Sequence, residues 1–182
     1  MRPGARLFSA LILAPLLVAG DGRAQEAQPS AYQLKAAFLY NFAQFVDWSP
    51  TAFASNTAPF VIGILGENPF GRELEQTVRG KAVLNHALMV KEVRSVAEAT
   101  NTCHILFISA SEKKRLAEIF AGLRGASILT VGEVDRFTES GGMVNFLQAG
   151  TKIRFQINDA AAKSAGLKVS SKLLSLASRT AR

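Results

Sequence analysis

Apolar residues recur every three or four positions after Ser30, which is the spacing of one face of a helix. Ser30 and Gln33 have the spacing of a capping box, and Pro50 disfavours helical backbone before it, so the pattern predicts a helix over residues 31–46. The predicted apolar stripe is Leu34, Phe38, Phe42 and Phe45, with Leu39 and Val46 beside it. The opposite face is predicted to carry Gln33, Tyr40, Gln44 and Asp47.

Farther along, short apolar runs alternate with segments that begin with helix-capping residues. The runs predict four strands, at residues 59–65, 87–93, 103–108 and 126–131, and the first has the continuous apolar pattern of a strand buried on both faces. The capping signals are Asn68-Pro69, Ser95 with Glu98, and Ser109 with Glu112. The first of these helices is expected to end near Arg79, before Gly80. Strands separated by helices of about ten residues imply parallel βαβ units in a covered sheet.

Near the C-terminus the pattern changes to alternation of apolar and polar residues. Residues 143–147 and 152–157 predict an antiparallel hairpin with one wet face, which places it at the sheet edge. Asn158 and Ser170 are predicted to cap two further helices. We therefore expect an α/β fold, with a mostly parallel covered sheet, a C-terminal antiparallel β-hairpin at its edge and flanking helices. Residues 25–182 are expected to form this single domain.

The first 24 residues have the order of features found in a secretory signal peptide. A basic start is followed by an apolar run over residues 7–20, and Gly22 and Ala24 supply small residues before the expected cleavage point. The run is shorter than the roughly 20 residues that span a bilayer, although an N-terminal membrane anchor is the alternative. The sequence thus predicts a periplasmic protein that begins near Gln25.

Composition and charge restrict the class of partner. The 182 residues are 48% hydrophobic, which excludes a disordered chain, and their net charge is +7. In the chain without the signal, the excess lies in residues 160–182, which contain five basic residues and no acidic residue. Nucleic acid is not an expected partner of an exported protein. The basic segment suits weak contact with an anionic membrane surface or an acidic face of a partner protein, and a solvated helix face is the alternative.

Residues able to carry catalysis or bind a metal are sparse. Cys103 is the single cysteine, which excludes an intrachain disulfide, and it is adjacent to His104, so the two side chains point to opposite faces of a strand. His86 is the other histidine, and the sequence gives no indication of a metal or a cofactor. Ser111 and Lys114 match the Ser-x-x-Lys pattern of some acyl-transfer enzymes, but helix capping also explains the serine.

The loop over residues 66–71 joins a predicted strand to a predicted helix, and it lacks a nucleotide-binding fingerprint. Together with residues 109–111 and 131–133, it follows the carboxyl end of a strand. Open parallel sheets bind ligands at that edge, so a shallow pocket is expected there.

The first helix is rich in aromatic residues. Six of the fifteen aromatic residues lie within 17 positions, and they are Tyr32, Phe38, Tyr40, Phe42, Phe45 and Trp48. Tyr40 and Trp48 lie off the centre of the apolar stripe and are expected on an exposed contact surface. Asn41 lies at the margin of the stripe, where its amide needs backbone or ligand partners.

Seven stretches of the chain together resemble the YfiR-like family of periplasmic proteins. They are KAAFLYNFAQFVDW (35–48), FVIGILGENPFG (60–71), CHILFIS (103–109), ILTVG (128–132), GGMVNF (141–146), IRFQIN (153–158) and LKVSSKLL (167–174). The resemblance implies a non-enzymatic regulator that binds the periplasmic part of an inner-membrane diguanylate cyclase and represses it. Release of the cyclase would raise cyclic di-GMP and promote biofilm formation. The resemblance also implies an α/β fold and a homodimer.

The chain departs from the family at two places. Well-known members of the family carry paired cysteines that form disulfides, whereas this chain has Cys103 alone, so control through an internal bridge is not expected. Asn85-His86 stands where many relatives would have Gly-Arg.

The resemblance supplies no catalytic residues. For contact with a partner or ligand we select polar or amphipathic positions within the matching stretches: Tyr40, Asn41, Trp48, Asn145, Arg154, Ser171 and Lys172. Two alternative functions remain open at this point. One is a periplasmic small-molecule sensor module for another membrane receptor, such as a histidine kinase, and the other is a hydrolase that uses Ser111 or Ser171.

Overall fold

The computed structural model describes residues 29–150 and 152–178, and this part of the chain contains six α-helices and nine strands. The helices are α1 (Ala31–Phe45), α2 (Glu73–Val78), α3 (Val96–Thr102), α4 (Leu116–Gly122), α5 (Asp159–Ser164) and α6 (Ser171–Leu176). The strands are β1 (Val46–Asp47), β2 (Phe60–Leu65), β3 (Ala82–Val83), β4 (His86–Val93), β5 (Ile105–Ile108), β6 (Leu129–Gly132), β7 (Val144–Ala149), β8 (Lys152–Ile157) and β9 (Lys168–Val169). The predicted signal peptide lies outside the described residues.

Seven of these strands form one mostly parallel sheet in the order β3-β4-β2-β5-β6-β7-β8. Strands β4, β2, β5, β6 and β7 run parallel, while β3 and β8 pair antiparallel with their neighbours at the two edges. The predicted α/β fold and the predicted β7–β8 hairpin at the sheet edge are therefore confirmed.

The hairpin β3–β4 at the other edge was not predicted. Its two turn residues, Leu84 and Asn85, have φ angles of 51° and 68°. Tight two-residue hairpins require such positive values, which Asn-Gly or Asp-Gly normally supplies. A leucine gives no such signal in the sequence, because a large side chain rarely adopts this backbone conformation.

Helices cover both faces of the sheet. On one face, α1, α2, α5 and α6 pack with a cluster that includes Phe42, Phe60 and Phe107. On the other face, α3 and α4 pack with a cluster that includes Leu106 and Ile119. Burial on both faces explains why β2 and β5 are continuous apolar runs rather than alternating ones.

A second, two-stranded sheet joins the segment that follows α1 to the segment that precedes α6. Val46 and Asp47 leave α1 in extended conformation and pair antiparallel with Val169 and Lys168. Helix α1 therefore ends one residue earlier than predicted. The backbone N–H of Ser170 also donates to the carbonyl oxygen of Phe45 over 3.0 Å, so the start of α6 is fixed against the end of α1.

Helix α2 is shorter than the predicted segment from Pro69 to Arg79. The Asn68 side chain accepts a hydrogen bond from the Phe70 N–H over 2.9 Å, and Gly71 has a positive φ of 55°. These turn contacts keep the chain out of helical geometry until Glu73. The N-cap signal at Asn68 therefore marks a turn rather than a helix start.

The buried face of α1 is rotated from the predicted stripe. Leu39, Phe42 and Ala43 are fully buried, while Phe38 and Phe45 are half-buried. Lys35 is also buried, because its ammonium group lies 2.5 Å from a carboxylate oxygen of Glu133, which follows β6.

Tyr32 completes the buried ion pair between Lys35 and Glu133. Its hydroxyl donates to Glu133 over 3.2 Å, and Lys35 Nζ lies 4.3 Å from the centre of its ring. Burial, together with the negative charge of Glu133, raises the pKa of Tyr32. These three side chains thus hold the first turns of α1 against the carboxyl end of β6.

Removal of one member of the Lys35–Glu133 pair should destabilise the protein strongly. Lys35→Met leaves a buried carboxylate without its cation, so we expect the free energy of unfolding to fall by about 3–5 kcal/mol. The double variant Lys35→Met/Glu133→Leu removes both charges and should recover most of that loss. Urea unfolding of the single and double variants measures the difference, and a single variant as stable as the parent would contradict the role given to the pair.

Candidate functional site

The solvent-facing strip of α1 carries no charge. Its exposed residues are Gln33, Ala37 and Gln44, and Tyr40 is half-buried beside them. The only charged residue in the helix is Lys35, which lies on the buried face. Helix surfaces that remain in water usually carry charged residues, so this neutral strip stands out as a candidate contact surface.

A lysine borders the strip on each side. Lys81 Nζ lies 4.2 Å from the centre of the Tyr40 ring, and the Tyr40 hydroxyl accepts a hydrogen bond from Gln44 over 2.8 Å. Lys172 Nζ, from α6, lies 5.0 Å from the centre of the Phe45 ring. Cation–π contacts of this kind contribute about 0.5–1 kcal/mol each at exposed sites, and they hold both aromatic rings in place.

Four of the seven predicted contact residues lie on two helices that pack against each other. Tyr40 and Asn41 are half-buried on α1, while Ser171 and Lys172 are exposed at the start of α6, which packs against the end of α1. Ser170, not Ser171, caps α6, since the Leu173 N–H donates to the Ser170 hydroxyl. We call the set formed by these four residues and the exposed strip the α1–α6 surface; it comprises Gln33, Ala37, Tyr40, Asn41, Gln44, Ser171 and Lys172.

The expectation that Trp48 lies on an exposed surface is wrong. Only 7% of the residue is accessible, and its ring packs edge-on against Phe60 with 5.1 Å between ring centres. Its indole N–H donates to the carbonyl oxygen of Ala43 over 3.0 Å. The reason is that the chain leaves the helix at Val46, so Trp48 turns inward instead of continuing the helical pattern.

Asn145 and Arg154 lie apart from the α1–α6 surface. Asn145 is 2% exposed and donates from its side-chain amide to the carbonyl oxygen of Val134 over 3.0 Å. Its side-chain oxygen has no hydrogen-bond partner among the described residues. Arg154 is exposed, but its neighbour Phe155 packs on Phe42 of α1, so Arg154 points to the other face of the sheet.

Both histidines of the chain stack on one phenylalanine, which the sequence analysis missed. The Phe53 ring lies parallel to His86, with 3.7 Å between ring centres, and 4.6 Å from His104 on its other side. Burial is the main cause that lowers the pKa of His104, and the nearby His86 contributes to it. The three residues are far apart in sequence, and only strand order brings them together, so no local signal could have identified the cluster.

The side chains considered for catalysis have structural partners. The Ser111 hydroxyl accepts the Glu67 N–H over 3.0 Å, so it joins the loops that follow β2 and β5. Both imidazoles bind backbone carbonyl oxygens, His86 that of Ala58 and His104 that of Ala52. Within residues 29–150 and 152–178, no group of three or more His, Cys, Asp or Glu residues is suited to a metal ion.

Cys103, between α3 and β5, is buried. Burial raises the pKa of its thiol, and its Sγ occupies the space that a side chain at Gly63 would need. This packing agrees with the behaviour of a small buried hydrophobic residue.

At the carboxyl edge of the sheet, the loop at Gly66 packs directly on Ser109 and Ser111. A cavity of about 380 Å³ opens farther along this edge, where Lys113 and Arg136 are among its lining residues.

No helix within the described residues is long and apolar enough to cross a membrane.

A family model described as YfiR/HmsC-like matches residues 32–178, which covers nearly all of the described chain. The comparison with curated proteins finds no match.

The buried amide of Asn145 gives a test of its structural role. Asn145→Ala leaves the Val134 carbonyl without its donor, so we expect the free energy of unfolding to fall by about 1–3 kcal/mol. Urea unfolding measures this change, with Arg154→Ala, at an exposed site nearby, as the control. If Asn145→Ala were as stable as the control, the hydrogen bond would not matter to the fold.

Proposed function

The chain belongs to the YfiR/HmsC-like family, and we propose that it is a periplasmic protein that binds the periplasmic part of an inner-membrane diguanylate cyclase and keeps that enzyme inactive. The observation that carries the proposal is the family match over residues 32–178. Release of the cyclase would raise cyclic di-GMP and favour biofilm formation. The periplasmic location also draws on the signal peptide predicted for residues 1–24.

We infer that the α1–α6 surface contacts the cyclase. Its centre consists of amide, alanine and aromatic groups, which lose less solvation energy on burial than charged groups would. Interface centres are depleted of charged residues and enriched in aromatic ones, and this strip has that composition. Lys81 and Lys172 lie at its rim, where they favour a partner with acidic residues around its docking site.

The side chains considered for catalysis favour a protein that acts by binding its partner rather than by catalysing a reaction. Ser111 and both imidazoles are engaged by backbone groups, and the histidines lie away from the α1–α6 surface, at the strand ends near Ala52 and Ala58. A protein that binds a second protein needs a preorganised surface, and the two cation–π contacts fix the rings of Tyr40 and Phe45 before binding.

A single charge placed in the neutral strip should weaken binding. Ala37→Glu adds a carboxylate at the middle of the α1–α6 surface, and burying it against a partner costs solvation energy. We expect binding to the cyclase's periplasmic domain to weaken at least about tenfold, or about 1.4 kcal/mol. Calorimetric titration with that domain measures the affinity.

Ala117→Glu is the matched control, because Ala117 is exposed on α4, on the other side of the sheet. In a strain that lacks the protein, the parent gene and Ala117→Glu should both restore low cyclic di-GMP and low surface attachment, whereas Ala37→Glu should not. Unchanged cyclic di-GMP after deletion would count against the regulatory function itself. Equal binding by both variants would instead count against the α1–α6 surface.

One cavity favours the second candidate function, a small-molecule sensor module. A cavity of about 370 Å³ is lined by residues of α4, α5 and β6, and Phe120, Leu123, Ile128 and Met143 contribute its apolar wall. This volume lies within the range of ligand pockets in proteins.

Thermal-shift screening tests the sensor function directly. A ligand present at about 100 times its dissociation constant adds about 2.7 kcal/mol of stability. Filling the cavity by Ala161→Phe should abolish that shift. A screen without any shift, together with capture of the cyclase domain, would favour the repressor function.

A further inference from the structure

Residues 49–59 form a strap that connects β1 to β2, and the two histidines hold it in place. The sequence of the strap, SPTAFASNTAP, contains no ionisable side chain. It lies across the amino ends of β2 and β5, where His104 immediately precedes β5 and His86 begins β4. Three contacts attach it there: Ala52 to His104, Ala58 to His86, and Phe53 to both rings.

The hydrogen bonds of His104 require a neutral ring. Its Nδ1 accepts the backbone N–H of Val61 over 3.1 Å, so that nitrogen carries no proton. Its Nε2 lies 3.1 Å from the carbonyl oxygen of Ala52, and since a carbonyl only accepts, Nε2 carries the proton. Protonation of Nδ1 would therefore break the bond to Val61 and turn two donors towards each other.

His86 also makes the attachment of the strap depend on neutral imidazole rings. Its Nδ1 donates to the carbonyl oxygen of Ala58 over 2.5 Å, a bond that survives protonation of the ring. A proton on each imidazole would, however, place a positive charge on both sides of the Phe53 ring. The two charges repel each other, and the half-buried site offers little water to screen them.

Other ionisable groups on the neighbouring elements do not neutralise these charges. Among residues 29–150 and 152–178, no carboxylate forms an ion pair with either imidazole. The ionisable groups on or next to the adjoining elements are Asp47 on β1, Lys81 before β3, Lys91 and Glu92 on β4, Glu98 on α3, Cys103 before β5, Glu118 on α4 and Arg124 after α4. Glu98, on α3, is held by Lys91 and by the Arg94 N–H.

We propose that the strap is an acid-released latch, in which protonation of the two histidines frees residues 49–59 from the sheet while the rest of the domain stays folded. Space for this movement exists beside the strap. Two cavities of about 250 and 230 Å³ lie against it, and Ala52, Cys103 and His104 line both of them. The inference does not depend on the identity of the partner.

The direction of the pH effect follows from the environment of His104. Burial holds the pKa of His104 below its ordinary value of 6.5, so the attached strap is fully stable above that value. As the pH falls below about 6.5, the released form takes up the proton more readily, and the attachment weakens progressively.

Hydrogen exchange measures the release. We would follow the Val61 amide and a peptide over residues 49–61 in the purified protein at about pH 7.5 and about pH 5, corrected for the intrinsic exchange rates. Protection at Val61 should fall at least about tenfold at the lower pH, while protection of β5 and β6 stays unchanged. Because the chain has only two histidines, their ring proton signals in NMR can be followed over the same range.

Two variants serve as controls. His86→Phe keeps a ring against Phe53 and removes one charge, so the loss of protection at low pH should become smaller. His86→Phe/His104→Phe removes every imidazole, so protection at Val61 should be low and independent of pH. If the double variant does not fold, the parent protein and His86→Phe decide the question.

Three outcomes would overturn the proposal. The first is equal protection of Val61 at both pH values in the parent. The second is loss of protection in β5 and β6 together with the strap, since that would be unfolding of the whole domain. The third is the same pH dependence in His86→Phe as in the parent protein.

Discussion

A sheet that is apolar on both faces must be covered on both faces, and this requirement determines what each helix can expose. Strands β2 and β5 have no residue that faces water, so α1, α2, α5 and α6 must cover one side and α3 and α4 the other. Helix α1 contributes Leu39, Phe42 and Ala43 to this cover. What remains of α1 is the neutral strip around Ala37, which the fold itself does not use.

The C-terminal segment, from β9 to α6, is positioned by contacts with the C-terminal end of α1. Strand β9 pairs with β1, and the Ser170 N–H at the start of α6 donates to the carbonyl oxygen of Phe45 at the end of α1. Two stretches more than a hundred residues apart therefore form one surface. Trp48 connects this end of α1 to the strap, since its indole binds Ala43 and its ring packs near Phe60 and His104. The histidine cluster is thus connected through one buried side chain to the last turn of α1.

Features specified by neighbouring residues could be predicted from the sequence. The capping box at Ser30, the buried strands and the β7–β8 hairpin all have local signals, and each was found. Features that depend on distant partners were missed, among them the burial of Lys35 by Glu133 and the stacking of His86 and His104 on Phe53.

The candidate contact residues show the same division. Tyr40 and Asn41 lie on a helix whose phase the sequence reveals approximately, and both fall on the accessible side. Trp48 follows the helix end, where the predicted helical phase no longer applies, and it is buried. Arg154 lies on the exposed face of β8, as the alternation predicts, but the strand pattern could not show that this face lies away from α1 and α6.

The packing of Cys103 against Gly63 has a consequence for how the protein is made. A chain with one thiol, buried in the fold, forms no intrachain disulfide and needs no electron acceptor to reach its native state. In the proposed periplasmic location, its maturation would not depend on the thiol oxidases that form disulfides there. The amount of folded protein would follow its synthesis, whatever the supply of oxidant around the cell.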